Sequence, residues 1–491
     1  MLMILIKQLG KMHKKSLNTI RLLGVLLVIS TLQSCFVAKD YNRPELEVAE
    51  AFRDYQSLDA TSIGAIPWKE YFKDKKLLNL ISVALVSNYD FKIAYQNILA
   101  AESFFQRGKA RFFPSVNGNA SVSSTDFSEN SVLGQQFSNN ARQNEQQLPN
   151  RVEQYDLTIS TSWEADIWGR ITSIKNAELS AVFETEAAYR ALQTRLVADV
   201  ATFYYQLQAL DAQLDIAEKT VKTRVKSLET IKTLKESGQT TEVAVKQQEA
   251  QLIAAKIIAA DTGKQLRLVE NSLSILLAKS PERIERNAFE PKFINNKIKL
   301  GFPAQLLRNR PDVLQAEYRL KKAFYNTNAA EADFYPKVTL GLDVGFQSLS
   351  FENWFKSASL YNTLLGGITQ PIFNRRQIKT KYEVQETELH KAMYRFKQNV
   401  LLAEKEVSDA LVSYEFEINK KELRTQQINA LQDAVKFSNT LLTNGYANYL
   451  EVLRATDEML NAEIELVRTY LSIKTSEVAL YKALGGGWRD N

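Results

Sequence analysis

Short stretches of alternating apolar and polar residues occur in both halves of the chain. Residues 338–346 place Val, Leu, Leu, Val and Phe at every second position, with Thr, Gly, Asp and Gly between them. Residues 116–123 and 155–163 alternate in the same way, and residues 361–370 do so less regularly. A period of two is that of a β-strand whose two faces meet different environments. The pattern therefore predicts four strands, two in each half.

Long stretches without proline or glycine follow each pair of predicted strands. Residues 172–236 contain neither residue type, and a helix over this range would be about 100 Å long. Apolar residues there recur at a 3-4 spacing that Arg224 interrupts, and the last helix repeats the pattern with Lys474 as its interruption. Heptad spacing of this length predicts coiled-coil packing. The Lys, Gln, Glu and Thr residues on the other faces predict helices that lie in water.

Three landmarks recur in the same order in the two halves, which indicates an internal duplication. They are ARFFPSVNGNASV (110–122) with ADFYPKVTLGLDV (332–344), DIWGR (166–170) with PIFNR (371–375), and GQTTEVAVKQ (238–247) with GYANYLEVLR (445–454). In each half a helix is predicted to end at an aromatic residue, Phe113 or Tyr335, and a proline then begins a strand. Each repeat closes with two long helices that meet near Gly238 or Gly445.

The predicted strands have the length and surface of membrane-spanning strands. Each is about 9–11 residues long, which suits a tilted strand in a bilayer, and the polar faces are uncharged apart from Asp156 and Asp343. A half-buried strand of a soluble sheet is the alternative. Because small membrane barrels need about eight strands, four cannot close one. If they cross a membrane, several subunits must share the barrel, since an open edge in lipid leaves backbone groups unpaired.

Composition excludes several classes of protein. The 491 residues include one Cys and two His, which rule out an internal disulfide, a thiolate metal site and a His-based triad. We expect no metal, no cofactor and no enzymatic activity. The net charge of +6 is concentrated in residues 1–34, which carry five basic residues and no acid. The nearly neutral remainder gives no reason to expect binding to nucleic acid.

The N-terminus has the features of a lipoprotein signal peptide. Basic residues up to Arg21 precede the apolar run 22–32, which is too short to span a bilayer, and Ser34 directly precedes the single cysteine, Cys35. We expect residues 1–34 to be removed and Cys35 to be lipidated as the mature N-terminus. An ordinary secretory signal followed by a chance cysteine is the alternative.

In this order, and duplicated, the motifs resemble the TolC-type outer-membrane efflux proteins, in the lipoprotein branch (NodT/OprM-like outer membrane factors) that serves resistance-nodulation-division (RND) pumps. The resemblance covers nearly the whole mature chain. Besides the turns at Gly238 and Gly445, it rests on Cys35 with DYNRP (40–44), SWEADIWGRI (162–171), RNRPDVLQAEYRL (308–320), ADFYPKVTL (332–340) and TQPIFNRR (369–376).

The resemblance implies an α+β membrane protein that works as a homotrimer. Four strands from each chain would form a twelve-strand β-barrel in the outer membrane, continuous with a periplasmic coiled-coil barrel of long helices. Such proteins are passive exit ducts, to which a periplasmic adaptor (membrane fusion protein) docks while an inner-membrane RND pump supplies the energy. We therefore expect a lipid-anchored, barrel-inserted outer-membrane protein with a long periplasmic portion.

The resemblance also implies a division of the chain into five segments. Residues 1–34 would be the lipoprotein signal peptide and 35–75 the lipid-anchored N-terminal segment. Residues 76–285 would form the first efflux-protein repeat, 286–302 a linker, and 303–491 the second repeat.

Candidate site residues follow from the same resemblance. Adaptors of the family contact the periplasmic tips, which here are the turns Ser237, Gly238 and Gln239, and Asn444, Gly445 and Tyr446. The two glycines would cap helices whether or not an adaptor binds.

A gate is implied just inside the second tip. Family members often carry pore-facing acids six and nine positions after the glycine, where this chain has Glu451 and Arg454. Three copies of Glu451 would form an acidic ring that selects ions. Arg454 departs from the acidic pattern and can pair with Glu451 at i,i+3, and a solvated helix face is the alternative. Asp156 and Asp343 would line the barrel lumen, or belong to an ordinary polar strand face.

Other functions fit parts of the sequence. A type I secretion system uses an outer-membrane duct of the same architecture. A lipid-anchored structural coiled coil would use the helices and Cys35, but it has no need for four alternating strands. An enzyme would need an acid–base pair of Asp and Glu, and no compact group of carboxylates stands out. A passive duct leaves no residue that would identify its cargo as drug, metal, bile salt or lipid.

Overall fold

The computed structural model covers most of the chain after the first 37 residues. The described residues are 38–46, 51–53, 55, 61–128, 130–136, 151–291, 299–447 and 449–489. The predicted signal peptide and Cys35 lie outside them.

The described chain folds into long helices and a four-stranded sheet. The helices are α1 (Lys75–Ser87), α2 (Tyr89–Ala110), α3 (Arg170–Glu236), α4 (Glu242–Leu276), α5 (Pro311–Ala332), α6 (Gln377–Thr443) and α7 (Tyr449–Ala483), with one-turn helices at Trp68–Tyr71 and Leu306–Asn309. The strands are β1 (Ser115–Asp126), β2 (Arg151–Ala165), β3 (Lys337–Ser348) and β4 (Leu360–Thr369). In the part of the chain described, only the adjoining helices α1 and α2, bent by 45°, together have the length and apolarity of a membrane span, and no single helix does.

Corresponding helices in the two halves have equal lengths. Helices α3 and α6 have 67 residues each, α4 and α7 have 35, and α2 and α5 have 22. Helices α2 and α5 end at Ala110 and Ala332, three residues before the predicted Phe113 and Tyr335. The amides of Phe113 and Tyr335 still donate to Ala110 and Ala332, at 3.0 and 3.2 Å, so one further turn precedes each proline. These equal lengths and matching turns agree with the duplication predicted from the sequence.

One compact unit contains the sheet. Among the described residues it combines 38–43, the described parts of 101–181, and 320–391, and its strands pair antiparallel in the order β1-β2-β3-β4. The four predicted strands are confirmed. Strands β1, β2 and β3 have 12, 15 and 12 residues and exceed the predicted length, because pairing between β1 and β2 continues to Asp126 and Arg151.

The register places most apolar residues of the four strands on one face of the sheet, while Tyr361 and Leu365 of β4 lie opposite Gly345 and Gly341 on the other face. Ile159 lies opposite Gly118 and Val344, and Leu340 lies opposite Trp163. Ten large side chains of this apolar face are 38–74% exposed, and others, such as Leu157 and Phe346, are half-buried. The ten are Val116, Val122, Ile159, Trp163, Leu340, Leu342, Val344, Leu360, Leu364 and Ile368. The sheet of one chain thus exposes a continuous apolar surface.

The second compact unit has a core centred on aromatic rings. It combines Pro44–Ala100, Val182–Arg319 and Ala392–Asn491. The ring of Tyr481 stacks on that of Tyr71, with centroids 4.0 Å apart and planes at 8°, and its hydroxyl donates to the Ile66 carbonyl at 2.7 Å. Gly486 passes directly over this core, because a Cβ built there would lie 2.4–2.6 Å from the Tyr481 ring.

A buried arginine explains the motif RNRPDV. Arg310 is only 5% exposed and donates to both carboxylate oxygens of Asp312 at 3.0 and 2.6 Å, to Glu406 at 2.6 Å and to the Ala483 carbonyl at 3.0 Å. Burial disfavours the charge, yet the two carboxylates outweigh it and raise the pKa of Arg310. Arg310 thereby connects helix α5 to α6 and to the end of α7.

We predict opposite effects for two glycine-to-alanine substitutions. Gly486→Ala should lower the free energy of unfolding by about 1–3 kcal/mol, as overpacking of a core does, because the new methyl group meets the Tyr481 ring. Gly263→Ala is the control, since nothing lies within 4 Å of its Cβ position inside helix α4. It should stabilise the protein by about 1 kcal/mol through helix propensity. Denaturant unfolding in detergent, followed by circular dichroism, measures both, and a neutral Gly486→Ala would contradict the close packing.

Candidate functional site

The first helical hairpin ends in a Schellman motif. The amide of Gly238 donates to the Lys235 carbonyl at 2.9 Å, and that of Gln239 donates to the Leu234 carbonyl at 2.9 Å. Gly238 has a φ of +75°, which only glycine adopts at no cost. These bonds satisfy carbonyls at the end of α3 and reverse the chain into α4.

The second hairpin ends in the same motif, built from different side chains. Gly445, with a φ of +80°, donates to Leu442 at 3.0 Å, and Tyr446 donates to Leu441 at 2.9 Å. A Cβ at Gly238 or at Gly445 would meet nothing within 4 Å, so both glycines serve the turn rather than close packing within the chain.

All six predicted tip residues are exposed. The structure brings each triplet together on one turn. Tyr446 is 84% exposed, whereas in a Schellman motif an apolar residue at this position often packs back on the helix. Gln239 takes the corresponding place on the first tip, so the two tips share a backbone and differ in chemistry.

The predicted gate residues lie at the start of helix α7. Glu451 and Arg454 are one helical turn apart, and both are exposed. The carboxylate of Glu451 sits in the first turn, where the helix dipole favours a negative charge. Within one chain, stabilisation of helix α7 is enough to explain the presence of Glu451. That Glu451 and Arg454 face the pore stays a prediction.

A buried ion pair between the two hairpins was missed by the sequence analysis. Arg224, which interrupts the heptads of α3, is 3% exposed and donates to the Asp457 carboxylate on α7. Burial raises the pKa of Asp457, and the Arg224 charge opposes that rise. The pair is buried on the Arg224 side, whereas the Asp457 side chain is partly exposed. This pair ties the first hairpin to the second.

The other heptad interruption is also a buried cation. Lys474 is 6% exposed, and its ammonium lies 4.9 Å from the Tyr205 ring centroid and 5.4 Å from that of Phe289. Burial lowers its pKa, while nearby Glu477 acts in the opposite direction. A cation at a heptad core position was the signal that could have identified both residues.

The structure brings Asp156 and Asp343 to the same face of the sheet. Asp156 lies opposite Gln347, and Asp343 lies opposite Ser160 and Thr363. Both are half-buried, and Gln154 donates to Asp156 at 2.8 Å. This polar face lies opposite the apolar face, and its role as a lumen stays a prediction.

Aromatic clusters lie at both ends of the sheet, which the sequence analysis did not single out. At one end the Tyr155 ring lies 5.8 Å from Phe351 and 5.5 Å from Trp354. At the other end Trp168 stacks on Tyr335 at 5.0 Å, and the Trp163 indole donates to the Phe112 carbonyl at 3.0 Å. Tyr155 and Trp163 are about 26 Å apart along β2 at 3.3 Å per residue, which for a strand tilted by about 40° corresponds to about 20 Å along the membrane normal, somewhat less than the apolar band of about 25 Å in membrane barrels. Aromatic residues typically flank that band.

The described residues contain no group of three or more His, Cys, Asp or Glu side chains placed to hold a metal ion. The candidate sites predicted from the sequence are surfaces: the two tips, the start of α7, and the two faces of the sheet.

Comparison with known proteins identifies the family to which the chain is related. The sequence profile of one family, described as Outer membrane efflux protein, matches residues 80–279 and 302–486. The solvent efflux pump outer membrane protein SrpC of Pseudomonas putida is 29% identical over 466 residues, covering 93% of this chain and 96% of that protein. The cation efflux system protein CusC of Escherichia coli strain CFT073 is 28% identical over 469 residues, covering 94% and 98%.

A solved structure agrees with the whole described architecture. The open state of the Neisseria gonorrhoeae MtrE outer membrane channel matches with a TM-score of 0.81 and 26% identity, over 93% of this chain and 99% of that one. The TolC-like fold predicted from the duplicated motifs is therefore confirmed. Because its profile match extends over both halves, the chain belongs to the outer membrane efflux protein family.

Proposed function

We propose that this protein is the outer-membrane channel of a tripartite efflux system, a passive exit duct for small molecules. The observation that carries the proposal is the sheet with an exposed apolar face and two unpaired edges, in a chain whose longest helices form hairpins with polar surfaces. Such a sheet suits a lipid environment only when other copies complete it.

The edges of the sheet support a homotrimer. Among the described strands, β1 pairs only with β2, and β4 pairs only with β3. An unpaired backbone group in lipid costs several kcal/mol, so the two edges would join those of neighbouring copies. Three chains give twelve strands, within the range of known membrane barrels. The apolar face then meets lipid, and the polar face with Asp156 and Asp343 lines the lumen.

The helical hairpins support a long periplasmic portion. A periplasmic adaptor would dock on the exposed tips around Gly238 and Gly445, and an RND-type pump in the inner membrane would supply the energy. Relatives named as parts of solvent and cation efflux systems support this class of partner. The protein itself would contribute the wall of the duct and no catalysis.

The residues after Cys35 support a lipid anchor close to the sheet. Asn328 on α5 donates to the Lys39 carbonyl at 2.8 Å, and the Lys39 ammonium lies 3.7 Å from Glu331. Strand β3 begins shortly afterwards, at Lys337. Cys35 precedes Lys39 by only four residues, so acyl chains on it would reach the membrane that the strands enter.

The duct is tested with the purified full-length protein in detergent and in planar lipid bilayers. We expect a complex of three chains by light scattering, a β-sheet signal by circular dichroism, and discrete conductance steps after insertion. A lipid-anchored structural coiled coil would give no conductance. A monomer without a pore would refute the proposal.

The anchor is tested by labelling cells with radioactive palmitate. We expect the wild type to incorporate label and Cys35→Ser to incorporate none, because Cys35 is the only thiol in the chain. Ser34→Ala, which keeps a small residue before the cysteine, is the matched control and should label normally. Label that persists in Cys35→Ser would refute the anchor, because the acyl chains would then be attached at another position.

The gate is tested by single-channel recording. Glu451→Ala should raise the conductance and weaken cation preference, because three carboxylates leave the constriction. Arg454→Ala should shift ion preference in the opposite direction. Asp433→Ala removes an exposed carboxylate on α6 and serves as the control. If Glu451→Ala behaves like the control, the acidic ring does not exist.

A further inference from the structure

The C-terminal segment of the chain is held against the loop before helix α5. The Trp488 indole donates to the Asn309 carbonyl at 3.0 Å, and the Arg489 guanidinium donates to the Asn309 side-chain oxygen at 2.8 Å. Gly485 has a φ of +83°, and a Cβ there would lie 2.4 Å from the same Asn309 carbonyl. This close approach requires glycine, and it fixes the position of the two residues that follow.

Two cavities lie beside this segment, with volumes of about 660 and 680 Å³. Both are lined by Arg308, Asn309 and Arg489. The first extends past Ser62, and the second past Arg190 and Trp488. We call the two cavities together the arginine groove.

The guanidinium groups in the groove are positioned by an aromatic ring. Arg190 lies over the Trp488 ring at 5.3 Å from its centroid, and Arg489 lies over it at 5.2 Å. Such cation–π contacts hold a guanidinium in place without neutralising it. A ligand would therefore meet two cations whose orientation is already restricted.

The charge of the groove is incompletely balanced. Within the described chain, Arg308 and Arg489 have no carboxylate within ion-pair distance, and Glu186 lies 3.9 Å from Arg190. Glu70 also lines the first cavity. The groove is thus lined by three guanidinium groups and two carboxylates, those of Glu70 and Glu186. The buried arginines of the same unit differ, since Arg310 donates to two carboxylates at 2.6–3.0 Å.

We propose that the arginine groove binds an oxyanion-bearing ligand, through its carboxylate or phosphate groups. Guanidinium presents a planar pair of donors that matches both groups, and charge-assisted bonds of this kind are about twice as strong as neutral ones. Each cavity exceeds the volume of a single ion, so either can take a ligand with several oxyanions. This binding is separate from transport through the duct.

The test is calorimetric titration of the purified full-length protein in detergent at low salt. The probes are citrate for carboxylates and inorganic pyrophosphate for phosphates. We expect the wild type to bind at least one probe, with an affinity that falls as salt rises. Arg308→Gln and Arg489→Gln should each weaken binding about tenfold, as loss of one charge-assisted contact does. The probe that binds more tightly identifies the chemistry.

Arg468→Gln and Asp490→Asn are the controls. Arg468 is an exposed arginine of α7 that pairs with Glu465 at 2.7 Å, and its loss should leave binding unchanged. Asp490, outside the described residues, follows Arg489, and Asp490→Asn should leave binding unchanged or tighter. The proposal is overturned if the wild type binds neither probe, or if the Arg308 and Arg489 variants bind as the wild type does. A change of complex size in the double variant would also overturn it, because the groove would then be a subunit contact.

Discussion

The constraint on which the structure depends is that its sheet is incomplete. Four antiparallel strands leave the outer backbone groups of β1 and β4 without a sheet partner among the described residues, and the apolar face has no cover. In water, the backbone groups of the edge strands can hydrogen-bond to solvent, but a large exposed apolar face is unfavourable. In lipid, the apolar face is favourable, but the unpaired backbone groups of the edges are not. Both are satisfied together only when strands from other chains continue the sheet in lipid. The sharing of one barrel among several copies in the proposed function follows from that requirement, whereas the number three comes from the resemblance to the family.

The helical part depends on a different constraint, because its two long hairpins must pack in one register. Apolar heptads alone allow neighbouring helices to slide, because one turn resembles the next. Arg224 pairs with Asp457, and Lys474 lies between two aromatic rings, so each buried cation fits one position only. A buried polar group commonly fixes register at a cost in stability. The two interruptions of the heptads would therefore be the residues that fix the alignment of α3 with α7.

The sequence was sufficient for features that depend on local pattern. Alternation, proline and glycine located the four strands and the two turns, because strand faces, proline starts and Schellman caps are encoded within a few residues. The contacts of Arg310 could not be predicted, since Glu406 lies 96 residues away and Ala483 lies 173 away. The arginine groove could not be predicted for the same reason, because its lining residues are far apart in the sequence. The roles of Glu451, Asp156 and Asp343 depend on neighbouring chains, so neither the sequence nor a single chain decides them.

Equal helix lengths in the two halves have a consequence for stoichiometry. If three copies assemble as proposed, the ring ends in six hairpins of matching length, and a partner meets a surface with approximate sixfold symmetry. The alternation of Gln239 and Tyr446 reduces that symmetry to threefold. A partner with six identical copies would therefore meet two kinds of binding site in alternation, one polar and one aromatic. Its subunits would then bind with two different strengths.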